Sequence, residues 1–112
     1  MHPALEHEIN QLHAEICAGL ADPKRILMLY ALADGPRNVT ELAEALSLPQ
    51  PLVSRHLKLL RERGLVLTER LGPAVQYRLS DMRLIQALDL LRAVLHDRLA
   101  HRAELAGALG HN

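Results

Sequence analysis

Apolar residues recur at steps of three and four near the start of the chain, which is the spacing of one face of an α-helix. The first such stripe predicts a helix over about residues 4–19. A second stretch begins with Asp22 and Pro23, residue types that cap and start helices. We expect this second helix to be buried through a wide apolar face that contains Ile26, Leu27, Leu29, Tyr30 and Leu32.

Two shorter helices joined by a tight turn are predicted over about residues 39–63. Asn38 and Glu41 have the spacing of a capping box, Pro49 lies in the turn, and Gly64 is placed to end the second helix in a left-handed cap. The core face of that second helix, at i, i+4 and i+7, contains Val53, Leu57 and Leu60. Another face has the same spacing and carries Ser54, Lys58 and Arg61, with Arg55 beside it.

The period of the pattern changes to two after Gly64, which indicates β-strands. Two alternating runs flank Gly72-Pro73 and predict a β-hairpin over about residues 65–79. Its exposed edge is predicted to be basic, with Arg70 and Arg78. Two helices, a hairpin and a basic surface in this order are typical of a helix-turn-helix followed by a wing, which reads duplex DNA.

A final amphipathic helix is predicted over about residues 81–106. Its apolar seam has heptad-like spacing and contains Leu84, Leu88, Leu91, Leu95, Leu99 and then Leu105 or Ala106. This seam is too long for a small monomer to cover. The predicted fold class is mainly α with a small β-hairpin, a single winged helix-turn-helix domain over residues 1–112 in the order α-α-α-α-β-β-α.

The charge is unevenly distributed, although 13 basic and 13 acidic residues give no net charge. Residues 1–23 carry four acidic and no basic residues, whereas residues 50–79 carry six basic and two acidic residues. The positive excess therefore lies on the helix and hairpin that would touch DNA. The alternatives are an ordinary solvated face and a winged-helix module that binds an acidic protein.

Motifs and composition exclude several other classes of protein. The sequence has no Gly-rich phosphate loop, nucleophile elbow or metal-hydrolase motif, so we expect no enzyme activity. Cys17 is the single cysteine and has no partner for an internal disulfide. The acidic first residues and the lack of a run of about 18 uncharged apolar residues predict a soluble cytoplasmic protein without a membrane partner.

Short motifs in a fixed order carry a family resemblance. They are Gly-Leu-Ala-Asp-Pro-Lys-Arg at 19–25, Val-Thr-Glu-Leu-Ala at 39–43, Gln-Pro-Leu-Val-Ser-Arg-His-Leu-Lys-Leu-Leu at 50–60, Gly-Leu-Val at 64–66 and Tyr-Arg-Leu at 77–79. Over roughly residues 16–100 the chain resembles the arsenic-repressor (ArsR/SmtB) family of winged-helix regulators. The resemblance implies a homodimer, paired through its first and last helices, that represses transcription from an inverted-repeat operator in double-stranded DNA.

The resemblance also implies the residues that contact DNA. For bases and phosphates, the matching positions are Gln50, Ser54 and Arg55; Gln suits adenine and Arg suits guanine. For phosphates alone, the candidates are Lys58, Arg61, Arg70 and Arg78. His56 precedes a core leucine, and both a structural role and a DNA contact are open for it. Pro49 and Pro51 stand where the family commonly has Ser and remove donors that could hold phosphate.

Known sensing motifs of the family are incomplete in this chain. Arsenic-type members have Cys-Val-Cys at the start of the third helix, where this chain has Asn38-Val39-Thr40, so three-thiolate binding of arsenite by one chain is excluded. Zinc- or nickel-type members use Asp-x-His and then His-x-x-His or His-x-x-Glu on the last helix. His101 and Glu104 match the second half, but Leu88 and Leu90 occupy the first.

Histidines nevertheless concentrate near both ends of the chain, at His2, His7, His13, His96, His101 and His111. A divalent metal such as zinc at the dimer interface would find N, S and O ligands there. The candidate ligands are His13 and Cys17, one turn apart on the first helix, and Asp97, His101 and Glu104 on the last. The alternatives are a buried structural Cys17, a thiol-based redox response and a repressor without a ligand.

Overall fold

A computed structural model describes residues 1–110, with side chains through residue 108, so His111 lies outside the described residues. Met1–Met82 form one compact unit, and the helix that begins at Arg83 belongs to a second. The helices are α1 (Pro3–Glu15), α2 (Pro23–Ala33), α3 (Val39–Leu46), α4 (Gln50–Glu62) and α5 (Arg83–Gly110), and the strands are β1 (Val66–Leu71) and β2 (Ala74–Leu79). The predicted winged helix-turn-helix order is confirmed.

The first helix is shorter than predicted. We expected it over about residues 4–19, but α1 ends at Glu15 and Cys17–Leu20 form a separate 3-10 turn. His13 lies in the last turn of α1 and Cys17 in the 3-10 turn, so the prediction that both lie on the first α-helix is wrong.

Arginine side chains bond to carbonyl groups at the end of α1 and in the turn that follows. Arg63 donates from Nη1 to the carbonyl oxygen of Ala14, in the last turn of α1. Arg25 donates from Nε to the carbonyl oxygen of Gly19 at 2.8 Å and from Nη2 to that of Ala18 at 3.2 Å. Pro23 has no N–H, so it could not bond the Gly19 carbonyl in a longer helix, and Arg25 supplies that donor instead.

The core differs from the prediction at one position of α2. Leu29 and Leu32 are buried as predicted, but Leu27 is 53% exposed and Met28 is fully buried in its place. Each helical residue is rotated by about 100° from the one before, so a face centred on 28, 29 and 32 leaves residue 27 outside. The largest fully buried side chains of the described residues are Met28, Leu29, Leu42, Val53, Leu57, Leu60 and Val66.

The predicted helix caps are present. Glu41 N donates to Asn38 Oδ1 at 2.8 Å and Asn38 N donates to Glu41 Oε1 at 3.0 Å, which completes the capping box of α3. Lys24 N donates to Asp22 Oδ1 at 2.7 Å at the start of α2, and this bond holds the pKa of the Asp22 carboxyl below its usual value. Gly64 has a φ of 73° just after α4, as its left-handed cap requires.

The hairpin has a two-residue turn and one unpredicted neighbour. β1 and β2 pair antiparallel around Gly72-Pro73, and Gly72 has the positive φ that the first position of a type II′ turn requires. On its other edge, β2 forms a bridge with the residue before the capping box, because Arg37 N and Tyr77 N donate to each other's carbonyl oxygens at 3.0 and 2.8 Å. This bridge ties the hairpin to the start of the helix-turn-helix.

The last helix, α5, has 28 residues and is continuous through the end of the predicted seam. Its exposed large apolar side chains are Leu90, Leu91, Val94, Leu95, Leu99 and Leu105. No helix in the described part of the chain combines the length and apolar character needed to cross a membrane.

Candidate nucleic-acid interface

The fourth helix has the two predicted faces. Val53, Leu57 and Leu60 are each 0% exposed, so they anchor α4 in the core. The other face is exposed and carries Ser54, Arg55, Lys58 and Arg61. Within the described residues, the three basic side chains of this face form no ion pair. Their charges are therefore available to an external anion.

A tight, well-defined turn presents this helix. Ser47 adopts a left-handed φ of 54° after α3, a conformation more often taken by glycine. Leu48 N donates to the Ala43 carbonyl at 3.0 Å and Ser47 N donates to the Glu44 carbonyl at 3.2 Å, the two bonds of a Schellman motif. These bonds stop α3 and set the direction in which the chain enters α4.

Gln50 begins α4 and is held by a residue of α3. Its Nε2 atom donates to Thr40 Oγ1 at 2.9 Å, and both residues are exposed. Pro49 is the N-cap residue and Pro51 lies in the first turn, and none of the described side chains caps this helix end. Sequence reasoning singled out Gln50 but missed Thr40, for which the spacing of polar residues gives no signal.

The side chain of His56, in the middle of α4, is half-buried. Arg25 Nη1 lies 3.4 Å from His56 Nδ1. Burial is the main cause that lowers the pKa of His56. The Asp22 carboxylate raises this pKa, and three nearby cations lower it further: Arg25, Lys24 and Arg55. The contact with Arg25 agrees with the structural role that the sequence left open for His56.

The two arginines of the wing lie on opposite faces of the hairpin. Arg70 pairs with Val75, whereas Arg78 pairs with Leu67. Cross-strand partners share a face and successive residues alternate, so residues 70 and 78 are on different sides. Both arginines are exposed, as predicted, but they do not form one basic surface.

The candidate metal ligands are exposed side chains on α1, on the 3-10 turn after it and on α5. Cys17 is exposed in the single chain, at the start of the 3-10 turn. His13 is exposed in the last turn of α1, and Asp97, His101 and Glu104 are exposed on one side of α5 at i, i+4 and i+7. Within the described residues of one chain, no three His, Cys, Asp or Glu side chains are close enough to hold one metal ion.

A basic second helix after a tight turn, followed by a two-stranded wing, defines the winged helix-turn-helix class of DNA-binding proteins. Residues 22–68 match the model of the bacterial regulatory proteins of the arsR family. The chain is 41% identical over 97 residues to the HTH-type transcriptional repressor SmtB of Mycobacterium tuberculosis, covering 87% of this chain and 67% of the relative. The chain belongs to the ArsR family and is a DNA-binding transcriptional regulator.

Further relatives agree in sequence and in fold. The HTH-type transcriptional regulator NmtR of Mycobacterium tuberculosis is 40% identical over 88 residues, which are 79% of this chain and 72% of NmtR. The homodimeric winged helix-turn-helix domain Mb0332 of Mycobacterium bovis superimposes with a TM-score of 0.75 at 27% identity, covering 90% of this chain and 93% of that one. The relatives compared are regulators, and the fold class is confirmed.

Proposed function

We propose that the protein is a dimeric repressor that binds an inverted-repeat operator and is released from it by an inducer. The observation that carries the proposal is the division of α4 into a fully buried apolar face and an exposed face with three basic side chains. A helix of this kind, presented by a tight turn, fits the major groove of B-DNA. The similarity to SmtB, a transcriptional repressor, supports repression of transcription as the mode of regulation.

Within α4 we assign base reading to its first half and phosphate binding to its second. Arg55 suits a guanine, Gln50 suits an adenine, and Ser54 suits a base or a phosphate. Lys58 and Arg61 lie further along the exposed side, where a helix in the groove meets the DNA backbone. His56 supports the helix from beneath through its contact with Arg25.

We assign Arg70 and Arg78 of the wing to phosphates. Because they lie on opposite faces of the hairpin, a wing placed in or beside a groove meets the phosphates of two strands, one on each side. Contacts of this kind hold the protein in register but carry little sequence information.

The exposed apolar stripes support a dimer. Leu5, Ile9 and Leu12 of α1 are each more than 40% exposed. In the seam of α5, Leu88 is buried, whereas Leu91, Leu95, Leu99 and Leu105 are 48–63% exposed. A second copy of the chain covers such stripes by helix pairing. Two α4 helices related by a two-fold axis then read half-sites about 10 base pairs apart.

We further propose that the inducer acts by favouring a dimer conformation that does not fit the operator. A divalent metal such as zinc is the leading candidate, because imidazole, thiolate and carboxylate groups are the donors it accepts. The donor set of His13, Cys17, Asp97, His101 and Glu104 has the required chemistry. Since one chain gathers no three of these side chains in its described part, ligands from both protomers are required.

Binding of the purified chain to duplex DNA tests the proposal. Selection from a randomised duplex library should enrich one inverted repeat, and single half-sites should bind more weakly. Four phosphate contacts per protomer predict that log affinity falls with log salt with a slope of about −7 for the dimer. If no duplex is bound better than random DNA at low salt, the proposal fails. A strong complex with an acidic protein would then favour the interaction module.

A further inference from the structure

A side-chain hydrogen bond spans the helix-turn-helix at the edge of the candidate interface. Gln50 Nε2 donates to Thr40 Oγ1 at 2.9 Å. Gln50 is the first residue of α4 and Thr40 is the second residue of α3, and both are exposed. The bond therefore restrains the first side chain of the helix that faces DNA.

The backbone on both sides of this bond is fixed. Thr40 lies inside the capping box that Asn38 and Glu41 form, and its β-branched side chain has few rotamers. At Gln50, the adjacent Pro51 fixes φ in the first turn of α4. The remaining freedom lies in the side-chain dihedrals of Gln50, and the bond to Thr40 restricts these.

The bond to Thr40 uses only one of the three hydrogen-bonding groups of the Gln50 carboxamide. A glutamine side chain has two N–H donors and one oxygen acceptor. Adenine, in the major groove, offers N7 as an acceptor and N6 as a donor, and a bidentate Gln contact uses one N–H and the oxygen. When Thr40 accepts the other N–H of Gln50, the remaining N–H and Oε1 are the pair that adenine requires.

We propose that Thr40 is a positioning residue for base reading, which holds the Gln50 carboxamide ready to contact an adenine in each half-site. This inference rests on the proposed function, because it requires α4 in the major groove. Thr40 itself need not touch a base. Its hydroxyl reduces the loss of side-chain freedom when Gln50 binds, so it increases discrimination at one base pair without adding affinity for random DNA.

Three variants test this role with duplexes selected by the wild-type protein. Gln50→Ala identifies the base pair that Gln50 reads, because preference at that pair alone should be lost. Thr40→Val removes the hydroxyl but keeps the branched shape, and it should lower discrimination at the same pair about fivefold. Thr40→Ser restores the hydroxyl and should keep wild-type discrimination. Affinity for random duplex and the thermal midpoint should be unchanged in both Thr40 variants.

A double variant separates positioning from other effects. In the Gln50→Ala background, Thr40→Val should change nothing further, because there is no carboxamide left to hold. Wild-type discrimination in Thr40→Val, equal losses in Thr40→Val and Thr40→Ser, or an undiminished effect of Thr40→Val without Gln50 would each overturn the inference. A wild-type protein that selects no duplex would instead overturn the proposed function, and the inference with it.

Discussion

Arg25 Nη1 lies 3.4 Å from His56 Nδ1, while the other two nitrogens of the same guanidinium donate to the carbonyl oxygens of Gly19 and Ala18. Arginine can only donate, so a hydrogen bond here requires Nδ1 to accept and the neutral ring to carry its proton on Nε2. One side chain thus connects the turn after α1, the start of α2 and the middle of α4.

Removal of that guanidinium should destabilise the protein. Arg25→Met keeps much of the apolar stem but loses both carbonyl bonds, so the free energy of unfolding should fall by about 2 kcal/mol. Urea unfolding at one fixed protein concentration measures the change, since dimer stability depends on concentration. Lys24→Met, at the exposed neighbouring position, serves as the control and should change little. Equal losses in the two variants would contradict the role of Arg25.

His56 should make stability depend on pH. Its pKa is lowered from the ordinary value of 6.5 mainly by burial, so between the lowered pKa and 6.5 the unfolded chain binds more protons than the folded one. The stabilisation is complete above pH 6.5 and is lost as the pH falls from 6.5 through the lowered pKa. Wild type should therefore lose more stability than His56→Gln on acidification. The difference between the two proteins isolates this group; a flat or reversed difference would refute the prediction.

Gly19 should tolerate no side chain. An added Cβ would lie 2.6 Å from Cδ1 of Leu65, which is only 2% exposed and has little room to move. Gly19→Ala should cost about 1 to 2 kcal/mol in thermal or urea unfolding. Leu65→Val shortens the opposing side chain. It should therefore lower the free energy of unfolding less in the Gly19→Ala variant than in the wild-type protein. At Gly107 an added Cβ meets no described atom within 4 Å, so Gly107→Ala should not destabilise.

The two kinds of DNA contact should respond differently to mutation. Arg55→Ala should weaken operator binding by about 1 to 3 kcal/mol and relax preference at one base pair. Arg70→Ala should weaken all duplexes similarly and reduce the salt slope by about 2 for the dimer. Fluorescence anisotropy at several salt concentrations measures both quantities. The assignment of roles is wrong if both variants affect specific and random duplexes alike.

Zinc should bind the dimer and release it from the operator. Cys17→Ser and His101→Gln should each lower zinc content after dialysis, because each removes one ligand. Substitution by Co²⁺ gives a second measurement, since a cobalt–thiolate absorption band should disappear in Cys17→Ser. His7→Gln, an exposed histidine outside the ligand set, is the control. A dimer that retains no zinc and keeps its operator affinity in zinc would exclude this inducer.

Periodic patterns predict the two faces of α4 well because its side chains follow helix geometry. Val53, Leu57 and Leu60 recur at one face, and this spacing alone identifies the exposed basic face opposite. In α2 the residues at positions 26–29 are all apolar, so the pattern has no period there. Packing against the other helices decides that Met28 is buried and Leu27 exposed.

Contacts between distant parts of the chain are not contained in such patterns. At the end of α1 and in the turn after it, Arg25 and Arg63 bond to carbonyl groups six or more residues away. The bridge between Arg37 and Tyr77 similarly joins segments far apart in sequence. Arg25 lies in one of the motifs on which the family resemblance rests, but its hydrogen bonds follow only from the fold.

The register of the hairpin has an evolutionary consequence. Because side chains alternate across a strand, a one-residue insertion between the Gly72-Pro73 turn and Arg78 that shifts the register of β2 would bring Arg78 to the face of Arg70. An insertion absorbed by a β-bulge would instead leave Arg78 opposite Leu67, on its present face. The register shift requires the insertion of a single codon and lies outside α4. The distribution of charge over the two faces of the wing can thereby change while the sequence of α4 stays the same.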